Sequence, residues 1–332
     1  MTEIVTDTFV RDDELLARLE PTAQLLYDRH IGISDKNLWL PDAYVPWSYA
    51  QDYDPQNPWK KEDLPVSQGL VSALEVNLLT EDNLPYYFGD LNEMFGSLGI
   101  WGTWARRWTA EEGRHSIVLR NGLFATRLVD PVQLESDRMI QVSGGEVPHP
   151  ATTLDGFIYV ALQELATRIS HKNTAKELTR QSLLIHDVDT KAAIGKFVTG
   201  IDRTSIDENL HYLFYKDISQ KALELDPLQF FESLARVIRY FKMPGTGIRD
   251  FKGRSAEIAS TGIYNATVHS EKIVKHVLLN QWHVDIFSEW GTRSATEVHE
   301  IEDARANVMK QIRLVERAAK FSEATSKPVT VS

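Results

Sequence analysis

The sequence has no cysteine among its 332 residues. This absence excludes disulfide bonds, thiolate zinc sites and an iron–sulfur cluster held by the chain itself. Any redox chemistry therefore needs electrons from another molecule, or a metal that is bound through oxygen and nitrogen.

Long hydrophobic runs are also absent. No apolar run approaches the roughly 20 residues that a membrane-spanning helix needs. The first residues, MTEIVTDTFVRDDE, are acidic and polar, whereas a secretory signal would be basic and then apolar. We therefore expect a cytoplasmic protein without a membrane span.

The chain lacks a surplus of basic residues, since its net charge is -11. Nucleic acid is not expected as the main partner, because phosphate binding relies on excess Lys and Arg. A length of 332 residues with 42% hydrophobic content suffices for a substantial core. No composition break divides the chain, so we predict a single domain over residues 11–320 with loose tails at 1–10 and 321–332.

Most of the sequence has the periodicity of packed helices, and little of it alternates as strands do. We predict an all-α bundle with helical segments at the following positions: 12–28, 65–95, 98–125, 131–143, 152–185, 190–220, 227–242 and 296–320. The segment 31–64 is rich in Pro, Trp and Asp, which favours an irregular but packed connection.

Two of the predicted helices carry a glutamate and a histidine on their inward seams. Glu112 and His115 are three residues apart, as are Glu208 and His211. Residues at this spacing project from one helix face toward a common point. The spacing alone is weak evidence, but a buried carboxylate costs several kcal/mol unless it is paired or binds a metal.

Two further glutamates lie on or beside other apolar helical stripes. Glu81 follows leucines at helical spacing, and Glu164 lies beside the stripe of its own segment. The order Glu, Glu-x-x-His, Glu, Glu-x-x-His is that of di-iron or di-manganese carboxylate centres in four-helix bundles. Carboxylates with one imidazole per metal suit iron or manganese. Any one of these residues could instead be a surface carboxylate or a core histidine; the whole set in this order favours a metal centre.

Four neighbouring residues add detail to this hypothesis. Pro85 removes the helical partner of the Glu81 carbonyl, which predicts either a bend or an ordinary helix end. Gly113 is unfavourable in a helix, so either something packs against the backbone there or it is a tolerated exposed glycine. Asp207 and Glu111 each precede a ligand candidate and could accept from a metal-bound histidine; a solvated charge is the alternative, favoured more for Glu111.

Four strings closely resemble the soluble acyl-acyl carrier protein desaturases, of the plant stearoyl type and its actinobacterial branch. They are TEDNLPYY, RRWTAEEGRHSIVLRNGL, FIYVALQELATRISHKNTA and DENLHYLFYKDI. The resemblance extends from about Trp39 to about residue 320. It implies a ferritin-like four-helix bundle core with additional helices and a di-iron centre inside. The six family ligands map onto Glu81, Glu112, His115, Glu164, Glu208 and His211.

The resemblance also implies roles for three other residues. Thr167 matches the family threonine beside the oxygen-binding side of the irons, and its i+3 spacing from Glu164 independently places it on the ligand face. Trp39 and Asp207 resemble the tryptophan and aspartate of an electron route from a metal-bound histidine to the surface; simple packing is the alternative for Trp39. The family strings EENRH and DEKRH read EEGRH and DENLH here, so contacts near the ligands differ.

The activity implied is O2-dependent insertion of a cis double bond into a fatty acyl chain on acyl carrier protein, in fatty acid biosynthesis. Two iron ions are the implied cofactors. A ferredoxin-like protein is the implied electron donor, and the enzyme is expected to be a homodimer. Because acyl carrier protein is acidic, a local basic patch is expected, with the following candidates: Arg249, Lys252, Arg254, Lys172 and Lys176.

Two other kinds of protein remain compatible with the sequence. A ribonucleotide reductase small subunit or a ferritin-like iron oxidase uses nearly the same ligand order, but would need a radical-forming tyrosine or a cage-forming surface. A non-enzymatic helical scaffold that binds lipid would leave the six residues as coincidence.

Overall fold

The computed structural model describes residues 9–63, 65–144, 147–288 and 291–326, and these are mostly helical. Within this part of the chain the only extended pairing is a bridge between Val10 and Thr152, so the predicted all-α fold is confirmed. The longer helices are α1 (Asp13–Ser34), α2 (Gln68–Glu81), α3 (Leu84–Phe95), α4 (Gly99–Thr126), α5 (Pro131–Gly144), α6 (Thr153–Ser182), α7 (Val188–Leu225) and α8 (Pro227–Tyr240). The chain continues through α9 (Phe251–Thr261), α10 (Ala266–Val268), the π-helical turn His269–Val274, α11 (Lys275–Asn280) and α12 (Ala295–Ser326).

The four helices α2, α4, α6 and α7 pack around the centre of the molecule. Helix α6 lies along α7, α4 packs against both α2 and α7, and α2 packs against α6. The two longest begin at side-chain caps: Thr152 accepts from the Asp155 N–H, and Asp187 accepts from the Thr190 N–H. Such caps satisfy amide groups that a helix start leaves unbonded.

Two hydrophobic clusters occupy the bundle, one at each end of a polar layer. Along α4, Trp104 and Trp108 belong to one cluster, whereas Val118 and Leu119 belong to the other. The stretch between them carries Glu112 and His115. Helix α7 repeats this arrangement around Glu208 and His211. Ionisable side chains are therefore held in mid-bundle, where water is excluded.

The segment 65–95, predicted as one helix, is two helices. Helix α2 ends at Glu81, and α3 begins at Leu84 with Pro85 in its first turn. Proline has no N–H to donate to the Glu81 carbonyl, yet it is well tolerated in the first turn of a new helix. Of the two alternatives for Pro85, the structure has the helix end. As a result, Glu81 lies at a helix terminus.

Other boundaries also differ from the sequence-based prediction. Helix α1 extends to Ser34, and α12 extends to Ser326 and so into the predicted C-terminal tail. The remainder of the predicted tails, residues 1–8 and 327–332, lies outside the described residues. The segments α9 to α11 were not predicted. No helix in the described ranges is both long and apolar enough to cross a bilayer.

Candidate metal centre

Six predicted ligand residues meet in the polar layer between the two hydrophobic clusters. Glu81 is the last residue of α2, Glu164 lies on α6, and the two Glu-x-x-His pairs lie on α4 and α7. All six side chains are buried, with at most 5% of any of these residues exposed. The i, i+3 spacing points each glutamate and its histidine to the same side of their helix, as the sequence predicted.

The six residues form two groups that share two members. In each group, one ligand atom per residue can be chosen such that all lie within 4.8 Å of one another. One group is Glu81, Glu112, His115 and Glu208; the other is Glu112, Glu164, Glu208 and His211. Each group thus has one histidine and one glutamate of its own, while two carboxylates belong to both. This is the donor set of two adjacent metal ions bridged by carboxylates.

Several buried oxygen and nitrogen atoms that could bind a metal have no hydrogen-bond partner in this layer. Glu164 Oε2 lies 3.7 Å from His211 Nδ1 and makes no hydrogen bond, and His211 Nδ1 approaches Glu112 Oε1 at 2.7 Å without hydrogen-bond geometry. Leaving such atoms unsatisfied costs free energy, particularly for a carboxylate. A bound cation would use both atoms at once. Oxygen donors with one nitrogen donor per group suit iron or manganese, so the residues present fit a di-metal centre.

The charge balance of the layer also favours bound cations. Burial, together with the neighbouring carboxylates Glu112, Glu164 and Glu81, holds the pKa of Glu208 well above its usual range. Burial opposes charge on His115 and His211, but the surrounding carboxylates outweigh it and raise the pKa of both imidazoles. Without metal, the layer therefore binds protons to offset its negative charge.

Each ligand-candidate histidine presents its outer nitrogen to a second carboxylate. His115 Nε2 lies 3.4 Å from Asp207 Oδ2, and His211 Nε2 lies 2.9 Å from Glu111 Oε2. A carboxylate in this position orients the imidazole and makes it a better ligand. Glu111 is 3% exposed, so the alternative of a solvated charge, to which the sequence gave more weight for Glu111 than for Asp207, is wrong.

Asp207 Oδ2 is the meeting point of three donors. Besides His115, it accepts from Trp39 Nε1 at 2.9 Å and from Arg114 Nη2 at 2.9 Å. The Arg114 guanidinium also lies over the Trp39 ring, 5.2 Å from its centroid. The structure thus joins Trp39 to His115 through one carboxylate oxygen.

Glu111 anchors a network that the sequence did not reveal. It accepts from Arg107 Nε at 2.6 Å and lies 2.8 Å from His30 Nε2. Ser34 Oγ donates to Oε1, the same oxygen that accepts from Arg107, whereas His30 faces Oε2. The only local signals are the i, i+4 spacings of His30 with Ser34 and of Arg107 with Glu111.

His171 is a second residue that sequence reasoning missed. Its Nε2 lies 2.8 Å from Glu81 Oε1, and its Nδ1 makes no hydrogen bond. His171 follows Glu164 by seven residues and Thr167 by four, so helical spacing places all three on one face. That spacing was the signal that could have identified it.

Thr167 lies where its spacing predicted, against the ligand layer. Its hydroxyl oxygen is 2.9 Å from Glu208 Oε2 and also within reach of the carbonyls of Gln163 and Glu164. Because a hydroxyl has one proton, it can donate to only one of these acceptors at a time. The hydroxyl proton can thus point either to the helix backbone or to the Glu208 carboxylate.

Gly113 has no close neighbour that requires glycine. A Cβ there would meet Leu84 Cδ2 at 3.9 Å, which is an ordinary contact. The close packing suggested as one explanation of this glycine is therefore absent.

Alanine at position 113 is expected to stabilise the protein by about 0.5–1 kcal/mol, because alanine is the better helix former and the space is free. Thermal unfolding of the metal-free protein measures the effect. Gly122→Ala on the same helix is the matched control, since its Cβ would lie 2.1 Å from the Phe197 ring and should destabilise by about 1–3 kcal/mol. A lower melting temperature for Gly113→Ala would contradict the prediction.

Two largely apolar cavities reach the ligand layer from different sides. Cavity A lies between α3 and α6, includes Tyr87, Leu91 and Val160 in its lining, and has a volume of about 630 Å3 when the open space at its mouth is counted. Cavity B lies between α2, α6 and α9, includes Phe251 and Ile258, and has a volume of about 580 Å3 on the same basis. Both are also lined by the same three residues, Thr80, Glu81 and Thr167. An apolar ligand could occupy both and pass beside the metal ligands.

Comparison with known proteins places this geometry among fatty acid desaturases. The sequence model described as fatty acid desaturase matches residues 11–331. A Mycobacterium tuberculosis protein named acyl-acyl carrier protein desaturase DesA1 is 36% identical over 82% of this chain and 79% of its own length. The chloroplastic stearoyl-acyl carrier protein 9-desaturase of Simmondsia chinensis is 30% identical over 88% of this chain and 73% of its own.

A solved structure supports the fold. The chain resembles the X-ray structure of the acyl-ACP desaturase DesA2 from M. tuberculosis H37Rv with a TM-score of 0.63. The match covers 84% of this chain and 98% of that one at 22% identity. At this level of identity the likeness concerns the fold alone.

Proposed function

Since the chain belongs to the fatty acid desaturase family, we propose that it inserts a cis double bond into a fatty acyl chain carried as a thioester on acyl carrier protein. The proposal rests on two groups of buried ligands that share two carboxylates beside apolar cavities. Because the fatty acid desaturase family matches residues 11–331, neither a ribonucleotide reductase small subunit nor a lipid-binding scaffold is favoured.

We assign two iron ions to the six residues of the layer. Glu81 and His115 would hold one ion, Glu164 and His211 would hold the other, and Glu112 and Glu208, which belong to both groups, would contribute to the centre. When bound, the irons supply the O2-dependent oxidation that removes hydrogen from an unactivated methylene. The overall reaction removes two hydrogen atoms from adjacent carbons and consumes one O2, two electrons and two protons, giving an alkene and two waters.

The chain's own residues position the substrate and exclude water. The apolar linings of cavities A and B would hold an extended acyl chain with its reacting carbons near Thr167 and Glu208. A dry, rigid site protects the oxidant from competing reactions. The Thr167 hydroxyl, within reach of both Glu208 and its own helix backbone, is suited to hold a proton beside the site of O2 chemistry.

The thioester end is assigned to cavity B, because α9 borders that cavity and carries the basic candidates Lys252 and Arg254, with Arg249 just before the helix. Arg249 and Arg254 are both paired with Asp137, whereas Lys252 is exposed and has no ion pair among the described residues. Lys172 is paired with Asp202. Lys252 is therefore the cation on this face best placed to meet an acidic carrier protein.

We assign the path Trp39, Asp207, His115 to electron entry from a ferredoxin-like donor, because one carboxylate oxygen joins the indole to the imidazole. A homodimeric enzyme in the cytoplasm, where the carrier protein and donor would meet it, belongs to the same proposal. The homodimer rests on the family resemblance, and the cytoplasmic location is carried over from the sequence analysis.

The test combines metal content with product analysis. Iron-loaded protein, a reduced ferredoxin system, O2 and a series of acyl-acyl carrier protein thioesters should give products lighter by two hydrogens, with about two irons per chain. Reactions without O2, and with metal-free protein, are the controls. Two irons without dehydrogenation would retain the site but reject the desaturase, and absence of metal binding would reject both.

A further inference from the structure

Cavity A ends against a wide surface cleft, which we call the outer cleft. The outer cleft has a volume of about 1730 Å3 and is open to solvent. It shares five lining residues with cavity A, and these form the partition between the two: Asp90, Met94, Pro148, Pro150 and Tyr159. The partition is therefore a single layer of side chains.

A contact between a carboxylate and an imidazole lies at this partition. Asp90 on α3 lies 3.0 Å from His149, and the His149 side chain is 71% exposed. Burial raises the pKa of Asp90 to about 6, although the His149 ring opposes the shift. A carboxylate in an otherwise apolar wall needs such a partner. Because the His149 side chain is exposed at the surface, its contact with Asp90 can open without disturbing the core.

Beyond the partition, the outer cleft has a mixed lining in which apolar surface predominates. Ala151, Val237 and Phe241 contribute apolar groups, and Glu93 is an acidic member of the lining. Arg236, which also lines it, is held by both oxygens of Asp155, at 3.1 and 2.9 Å. Because that positive charge is already paired, the cleft offers little to an anionic ligand.

We propose that the methyl end of a long acyl chain passes from cavity A between Asp90, His149 and Met94 into the outer cleft. The substrates would then include acyl chains longer than cavities A and B enclose. This inference rests on the proposed function, since it takes the occupant of cavity A to be an acyl chain. The linings of cavity A and the outer cleft share five residues. We therefore take the occupant of the outer cleft to be the same acyl chain, and not a protein segment.

Single-cysteine probes can test this without turnover, because the natural chain has no cysteine. Val160→Cys places a thiol in cavity A, and Ala151→Cys places one in the outer cleft; both parent residues are partly exposed. Each variant is treated with a thiol reagent in the presence of saturated acyl-acyl carrier proteins from myristoyl to lignoceroyl. A thiol covered by a bound chain reacts more slowly, since the reagent needs access to the thiolate.

If the methyl end passes into the outer cleft, the two cysteine probes should respond differently to acyl chain length. Every chain that binds should protect the thiol at position 160, whereas only the longest chains should protect the thiol at position 151. Protection at 160 by all lengths, with none at 151, would overturn the inference and leave the proposed function intact. Failure of every thioester to protect either thiol would reject the proposed function, and the inference with it.

A blocking variant gives a second, independent readout. Ala151→Trp would fill the outer cleft beside the partition and should lower kcat/KM by about tenfold for the longest chains relative to the shortest. Val132→Trp is the control, because Val132 is exposed on α5 outside the outer cleft. If the dependence of kcat/KM on acyl chain length were unchanged in Ala151→Trp, passage of the acyl chain into the outer cleft would be contradicted.

Discussion

Replacing Glu112 with alanine is expected to abolish desaturation and to remove both metal ions from the protein. Glu112 is one of two carboxylates that belong to both ligand groups, and it also lies 2.7 Å from His211 Nδ1 and 3.1 Å from His115 Nδ1. Its loss removes one donor from each metal position. By contrast, Glu81→Ala removes a donor from one group only and should leave the other position partly occupied.

Metal content and unfolding together distinguish loss of the site from loss of the fold. Iron per chain should fall from about two to near zero in Glu112→Ala, while the metal-free forms of variant and wild type melt at similar temperatures. The rise in melting temperature on adding Fe2+, which reflects binding to the folded state alone, should disappear. The similarity of the metal-free forms follows because removing one of four crowded carboxylates relieves repulsion on Glu208.

Glu224→Ala is the matched control on α7, since Glu224 is exposed and its one ion pair within the described residues is with Lys221. It should bind iron and turn over as the wild type does. Two irons per chain in Glu112→Ala would contradict the assignment of Glu112 as a shared ligand.

The six members of the ligand layer could be predicted because helical periodicity is local information. Glu112 and His115 are three residues apart, so their common direction follows from the helix itself. Their burial followed from the apolar residues on either side, such as Trp108 and Leu119. The all-α fold followed from the same periodicity repeated in other segments.

The contacts around that layer could not be predicted in this way. Glu111 meets His30, which is 81 residues away, and His171 meets Glu81 across 90 residues. Such pairs depend on how helices are placed relative to one another. The shape of the cavities depends on it too, because an apolar side chain lines a cavity or fills the core according to its neighbours. The break after Glu81 was visible as Pro85, but a bend and a helix end give the same local signal.

Replacing Asp207 with alanine is expected to destabilise the metal-free protein by about 3–5 kcal/mol, because a mostly buried guanidinium is left without its closest carboxylate. Only 13% of the Arg114 side chain is exposed, and its distance to Glu111 is 3.8 Å, against 2.9 Å to Asp207. Trp39 Nε1 also loses its acceptor. Asp202→Ala on the same helix is the control, since that exposed ion pair with Lys172 should contribute at most about 1 kcal/mol.

The loss of stability caused by Asp207→Ala should depend on pH in a defined direction. Burial raises the pKa of Asp207, but the hydrogen bond with His115 and the nearby charges outweigh it, so that the pKa lies below its usual 3.8. A carboxyl group with a lowered pKa stabilises the folded state above pH 3.8, and this contribution is lost as the pH falls through the folded-state pKa. The difference in free energy of unfolding between wild type and Asp207→Ala should therefore narrow in acid. A difference that stayed constant would contradict an ionised Asp207.

Trp39→Phe separates the electron route from this structural effect. It removes one N–H donor and keeps an aromatic ring, so its cost in stability should be about 1 kcal/mol. Turnover with the ferredoxin system should fall about tenfold or more, while a single turnover of chemically reduced protein stays near the wild-type yield. The single turnover bypasses the donor, whereas steady-state turnover depends on it. Equal losses in both assays would place Trp39 in packing alone and would remove the main support for electron entry at Asp207.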